Sequence, residues 1–382
     1  MADLSIRNLG IGLASSILAG AISVTAATGV GASTSRSAPQ AWYVYTESNQ
    51  SSADGGNLVL AYRVDAGGTL TSIGSFATGG DGTGSGLGSQ GAVTLADGGH
   101  ALLVVNAGSN TVSYFRILSN GTPWLVDAAP SGGADPVSVT AHDHWVDVLN
   151  QGSNTVAGLV LTGAALVPSS HDAVPLSSAA ATPVQIGFTP SGAHVIVTEK
   201  VSSSIDTFSV TPDGLLVGLR HTASTGTAPY GFGFSAGGEA IVSDAGGGAG
   251  GVSAATSYRV GAVGVLHPIS EVGESQAAAC WLVVNGAGDR AYLANAASGT
   301  VSSYNIAPGG PLVLRSAVAA TVGVHPIDEV VGSSWFFVLT TTEIASAPVT
   351  AGGDLGLVNE SAASGLPAAA SGLALDDLSL KA

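Results

Sequence analysis

The chain repeats. Asn106-Ala107-Gly108-Ser109-Asn110-Thr111-Val112 returns almost unchanged as Asn150-Gln151-Gly152-Ser153-Asn154-Thr155-Val156. Around this pair lie segments of one design: HALLVVNAGSNTVSYFRI (100–117), HWVDVLNQGSNTVAGLVL (144–161), HVIVTEKVSSSIDTFSV (194–210) and RAYLANAASGTVSSYNI (290–306). Each is an apolar β-branched run, a polar residue, a loop of small residues and a second alternating run, which reads as two strands. A turn and another apolar run precede each segment, and a weaker run follows a glycine, as in DGLLVGLRHTAS (213–224). Units begin at Gln90, Pro136, Pro183, Pro229, Ala278, Pro326 and Ser371, spaced 45 to 49 residues apart. Four strands at that period predict a β-propeller, whereas a helical solenoid would show a 3.6-residue periodicity that is absent.

The ends complete the count. SGLALDDL (371–378) supplies one first strand, and AWYVYTESN (41–49), NLVLAYRV (57–64) and GTLTSIGSFA (68–77) supply a second, third and fourth. The expected fold is an all-β, seven-bladed β-propeller over residues 41–378. Its blades are four-stranded and antiparallel, and the C-terminal strand pairs with the N-terminal three to leave no open edge. Composition agrees: 55 glycines in 382 residues, 45% hydrophobic and only 9% charged, as many short strands with glycine-rich turns require.

The N-terminus differs in kind. Residues 9–30 are uncharged and apolar or small, Arg7 precedes them, and Val30-Gly31-Ala32 offers small residues for cleavage. Residues 1–32 read as a signal peptide and 33–40 as a linker, which predicts a secreted or periplasmic protein with no membrane span after cleavage.

Charge narrows the function. The net charge is −16, from 26 acidic and 10 basic residues, and the basic ones do not cluster. Nucleic acid is excluded as a partner, since binding it needs grouped Lys and Arg. A polyanionic substrate is disfavoured, but a single cation can still hold one carboxylate. Cys280 is the only cysteine and sits in the apolar run AAACWLVV, so it reads as a small buried hydrophobe.

The repeat also sorts structural positions from functional ones. His142 and His144 resemble a metal pair, but His144 occupies the slot of His100 and His194, which holds Glu239 or Asp289-Arg290 elsewhere. A slot so variable is a solvated turn, and no metal or other cofactor is expected. At the end of the second strand stand Glu47, Asn106, Asn150, Glu199, Asp244, Asn295 and about Thr340. Asn there suits a loop cap; the three carboxylates are expected to make that face acidic. Loops entering the first strands add Gln90, Asp135, Tyr230, Gln276, His325, Asp328 and Glu329. The long loop DAGGGAGGVSAATS (244–257) precedes a strand, not the helix that a phosphate cradle requires, so it reads as a lid or rim.

The segments TAPYGFGF, SQAAACW, HPIDE and SGLPAAASGLA, with the strand pair AYLANAASGTVSSYNI, resemble the seven-bladed propeller lactonases. That family includes 6-phosphogluconolactonase and carboxy-cis,cis-muconate cyclase. The resemblance implies metal-free chemistry on a lactone. On that basis Glu199 or Asp244 would activate water or take a proton, and His325 would transfer it. Lys200 would hold a carboxylate, with Glu47, Tyr230, Gln276 and Asp328 as further substrate contacts. Basic residues for a phosphorylated sugar acid are scarce, so an unphosphorylated lactone is expected. The alternative is a monomeric, non-catalytic propeller displaying its loops to an envelope ligand, because propellers host many functions.

Overall fold

A computed structural model describes residues 42–377 apart from 170, 171, 249 and 324; the expected signal peptide and linker lie outside the described residues. The described chain forms seven sheets, each a four-stranded antiparallel blade. Blade 1 is composite: Ser371–Asp376 pairs with Trp42–Glu47, followed by Leu58–Val64 and Leu70–Ala77. Blade 2 holds Val93–Ala96, Ala101–Asn106, Thr111–Ile117 and Pro123–Pro130. Blade 3 begins Pro136–His142, Trp145–Asn150, Thr155–Leu161, and blade 4 is Pro183–Phe188, His194–Glu199, Ser204–Val210, Leu216–Ala223. Blade 5 is Pro229–Phe234, Ala240–Asp244, Ala254–Val260, Leu266–Gly273, and blade 6 is Ala279–Val284, Arg290–Asn295, Thr300–Ile306, Leu312–Thr321. Blade 7 is Asp328–Val331, Trp335–Leu339, Glu343–Pro348, Asn359–Ser364.

One blade departs from the pattern. The outer strand of blade 3 is split into Leu166–Pro168 and Val174–Pro175, both pairing with the third strand. Each piece ends at a proline, which lacks the N–H a continuous ladder needs. The long blade-5 loop is anchored at its far end, where the Gly251 N–H bonds the Gln276 carbonyl at 2.9 Å. Among the described residues no helix is long and apolar enough to cross a membrane.

Because side chains alternate across a strand, every blade has two apolar faces and the cores lie between blades. In the second strand of blade 4, Ile196 packs with blade 5 residues Val242 and Tyr258, while Val195 and Val197 pack with Val137 and Leu149 of blade 3. Polar side chains stitch the inner strands together. Gln185 accepts from the Phe232 N–H at 2.6 Å and donates to its carbonyl at 3.1 Å. Ser138 accepts from Ile186 N–H at 3.2 Å, and Thr94 donates to the Val139 carbonyl at 2.8 Å.

The entry to the inner strand has a repeated strained geometry. Asp135, Thr182, Ala228, Ala278 and His325 all have φ between 45° and 57°. In four of these blades the carbonyl so turned accepts from the loop after the second strand: Gln151 N–H to Asp135, Lys200 to Thr182, Ala245 to Ala228 and Ala296 to Ala278, at 2.8 to 3.3 Å. Left-handed backbone costs about 1–2 kcal/mol in a residue with a Cβ, and the hydrogen bond offsets about 1 kcal/mol of it. Just beyond, the register slips by a bulge between Pro136 and Ser138, Pro183 and Gln185, Pro229 and Phe232, and Ala279 and Trp281. Bulges re-aim side chains, and the residues set out of register include Val137, Val184, Tyr230 and Cys280.

Candidate functional site at the channel mouth

The residues closing the second strands are buried in every blade, Thr340 being the most exposed at 3%. Asn106 donates to Thr111 at 3.0 Å and Ser113 at 2.8 Å, and Asn295 makes the same pair with Thr300 and Ser302. The carboxylates fill this slot with the donor sense reversed, since a hydroxyl can give or accept. Glu199 accepts from Ser202 at 2.6 Å and Ser204 at 3.4 Å; Asp244 accepts from Thr256 at 2.5 Å and Ser224 at 3.4 Å. Glu47 accepts from Asn57 at 2.6 Å, and Asn57 also donates to Asn106 of blade 2 at 3.1 Å. Burial pushes Glu199 up to about 7, helped by neighbouring Asp206, and Asp244 up to about 7; Glu47 is raised well above the usual range. The acidic face expected of these three is replaced by carboxyls enclosed in their blades, where they organise the following loops.

Lys200 turns away from Glu199. Thr198 faces blade 5 and donates to the Tyr230 carbonyl, whereas Glu199 lies on the opposite side with Asp206, whose carboxylate accepts from the Ser177 N–H at 2.7 Å. Beyond the strand end the Lys200 ammonium comes to lie 5.3 Å from the centroid of the Tyr230 ring, a cation–π contact. Tyr230 meets Trp281 edge-on with ring centroids 5.4 Å apart, and Val184, Ala245 and Ala294 complete an apolar cluster with them. Half-burial here lowers the Lys200 pKa. Among the described residues no carboxylate lies within ion-pair distance of Lys200. The Cys280 thiol is pushed up to about 12, so it remains protonated and is no nucleophile.

A segment from the link between blades 1 and 2 crosses this mouth. The Tyr230 hydroxyl donates to the Gly88 carbonyl, and Trp281 Nε1 donates to the Ser89 carbonyl at 2.8 Å. Gln90 donates to the Leu282 carbonyl at 2.9 Å and accepts from its N–H at 3.2 Å. Beneath lies a channel cavity of about 280 Å³, whose wall includes Gln90, Gln185, Asp328 and Glu329. Asp328 accepts from the Glu329 N–H at 2.8 Å and the Leu373 N–H at 2.9 Å, and burial raises it to about 8.

Of the expected site residues, the structure brings Lys200 and Tyr230 together. Asp328 lies deeper, in the channel wall. Gln276 sits at the blade 5–6 rim, where it accepts from Thr300 at 3.2 Å. His325 is exposed and left-handed at the entry to blade 7, and among the described residues no hydrogen bond or ion pair joins it to Lys200. Among the described residues no three His, Cys, Asp or Glu side chains are placed to share a metal ion. Sequence reasoning missed Trp281 and the Gly88–Ser89 carbonyls. The aromatic neighbour of Cys280 was the available signal, but its inward turn depends on a bulge that the letters do not mark.

Residues 40–167 match the family model described as lactonase, 7-bladed beta-propeller. No curated protein matches the chain in sequence. Among solved structures, a candidate 6-phosphogluconolactonase from Bacteroides fragilis superposes with a TM-score of 0.70 at 16% identity, covering 89% of this chain and 99% of that one. A protein from Lactobacillus plantarum gives 0.69 at 16% identity, covering 88% and 99%. The periplasmic gluconolactonase of Pseudomonas aeruginosa gives 0.65 at 15% identity, covering 88% and 99%. At these identities the superpositions speak for the fold. Over residues 40–167 by sequence, and through all seven blades by architecture, the chain resembles the seven-bladed β-propeller lactonases.

Proposed function

We propose that this chain is an exported, monomeric, lactonase-like propeller that hydrolyses or isomerises an unphosphorylated lactone without metal. The observation that carries the reading is Lys200: a half-buried ammonium over an aromatic ring, with no carboxylate partner among the described residues. Such a cation fits the acid group of a small substrate whose apolar frame rests on Tyr230 and Trp281. One cation suits a monoanion better than a phosphorylated sugar acid. His325, exposed on the entry to blade 7, is the group open to proton transfer. Glu199 and Asp244, with pKa values of about 7, are poised as general bases. Both are enclosed, so their direct use requires the loops after their strands to open.

That enclosure favours a second reading, a propeller that binds without turning over. Val201 and Val252 on neighbouring loops are 63% and 56% exposed, which suits a ligand carrying an apolar portion. Purified protein assayed on carboxylate-bearing and carboxylate-free lactones separates the two. Lys200→Met should raise KM by about tenfold or more for the carboxylate-bearing lactones, as loss of one charged contact implies, and leave carboxylate-free lactones unaffected. Absence of turnover on the whole panel would leave the binding reading.

A further inference from the structure

On the face opposite the channel mouth, the turn between third and fourth strands packs on the preceding blade. Gly68 lies against Trp335, Gly121 against Tyr43, Gly214 against Trp145 and Gly353 against Arg290; a Cβ on any of these four would come within 2.3 Å of that side chain. Gly264 and Gly310 sit more loosely on His194 and Glu239. In the four tight cases the side chain comes from the start of the preceding blade's second strand and plugs the gap between blades, whereas the gap beside His194 stays open. Blade 3 breaks the pattern. Its turn runs directly from Thr162 to Ala165, a Cβ on Gly163 would meet nothing within 4 Å, and blade 2 starts its second strand with Ala101.

The unplugged gap is a cavity of about 400 Å³ whose wall includes Asp97, Tyr114, Asp143, His144, Leu161 and Thr162. Arg116 donates to the Gly163 carbonyl at 2.8 Å and so pins the turn that forms one side. Tyr114 is 5% exposed, and its hydroxyl has no hydrogen-bond partner among the described residues. The hydroxyl opens onto the cavity, where it can donate to or accept from a ligand atom. Asp97 and Asp143 are exposed and, among the described residues, make no side-chain hydrogen bond or ion pair. A comparable groove of about 460 Å³ between blades 4 and 5 is walled by His194 and small neutral residues, with no carboxylate.

We propose that the groove between blades 2 and 3 binds a small organic amine of about monosaccharide size. Two unpaired carboxylates would face its ammonium group, the Tyr114 hydroxyl would take a hydrogen bond, and Leu161 would cover its carbon frame. A metal ion is the wrong occupant, because Asp97, Asp143 and His144 are not gathered closely enough to coordinate one. This site is separate from the channel mouth and stands or falls independently of the lactone reading.

The test is titration of the purified protein with glucosamine and putrescine, and with glucose as the neutral comparator, followed by calorimetry. An amine should bind with a Kd of about 1 mM or tighter and at least about tenfold better than glucose, a difference of about 1.4 kcal/mol. The Asp97→Asn/Asp143→Asn double variant should lose at least about tenfold of that affinity. These positions are exposed, so the variant should keep the parent unfolding midpoint. Tyr114→Phe should weaken binding without lowering stability, since the hydroxyl it removes has no partner in the protein. The inference is overturned if neither amine binds, if glucose binds as well, or if the double aspartate variant binds unchanged.

Discussion

Thr182 is the least comfortable of the residues that open the inner strands. Its φ is 45°, and a β-branched side chain is a genuine outlier there. Thr182→Gly should relieve about 1–2 kcal/mol of strain and return about 0.5–1 kcal/mol as chain entropy lost on folding. A net gain near 0.5 kcal/mol is expected, read as a higher urea midpoint at unchanged slope; a loss of more than that would mean the hydroxyl is needed. The positions of these residues were legible, because each precedes the first strand of a unit, but their backbone angles were not. The same holds for the slot at the second strand's end. The letters marked Glu47, Glu199 and Asp244 as exceptions to Asn, and the family resemblance gave Glu199 and Asp244 a chemical role. What they could not show is that hydroxyls at Ser202, Ser204 and Thr256 wait as donors inside the blade.

At the scale of elements the repeat predicted well, since strand alternation and turn residues are local. First strands begin at Pro136, Pro183, Pro229 and Ser371 as the spacing required, and at Ala279, Asp328 and Val93, one, two and three residues after the expected starts. The link that roofs the channel was not legible. Gln90 and Leu282 are 192 residues apart, and nothing in GSQG announces a crossing. Both ends of the Gln90 amide are occupied by the Leu282 backbone, and the side chain is 7% exposed. Gln90→Ala leaves a buried N–H and C=O unpaired, each costing about 1–3 kcal/mol. A stability loss of about 2–4 kcal/mol is expected, with faster hydrogen exchange at the Leu282 amide than at its neighbours. Unchanged protection at Leu282 would show that the roof is held by the Tyr230 and Trp281 contacts alone.

Across the whole molecule, buried acids are spread around the ring: Asp147 in blade 3, Glu199 in blade 4, Asp244 and Glu274 in or beside blade 5, and Asp328 in blade 7. Burial raises Glu199, Asp244 and Glu274 to about 7 and Asp147 and Asp328 to about 8. In the unfolded chain such groups release their protons near pH 4. Between those limits the folded protein binds more protons than the unfolded one, so stability must fall as pH rises. The contribution is fully present below about pH 4 and lost progressively as pH climbs through 7 to 8, opposite to the trend of a protein held by ionised carboxylates. Asp354, lowered by its exposed pair with Arg315, works the other way but weakly, because such pairs are screened. The urea midpoint should therefore be higher at pH 5.5 than at pH 8.5, with a difference of about several kcal/mol in unfolding free energy. Glu199→Gln, which cannot ionise, should flatten the slope between pH 6 and 8. A midpoint that is flat or rises over this range would mean that the carboxyls are reached by water or by a cation in the folded ring.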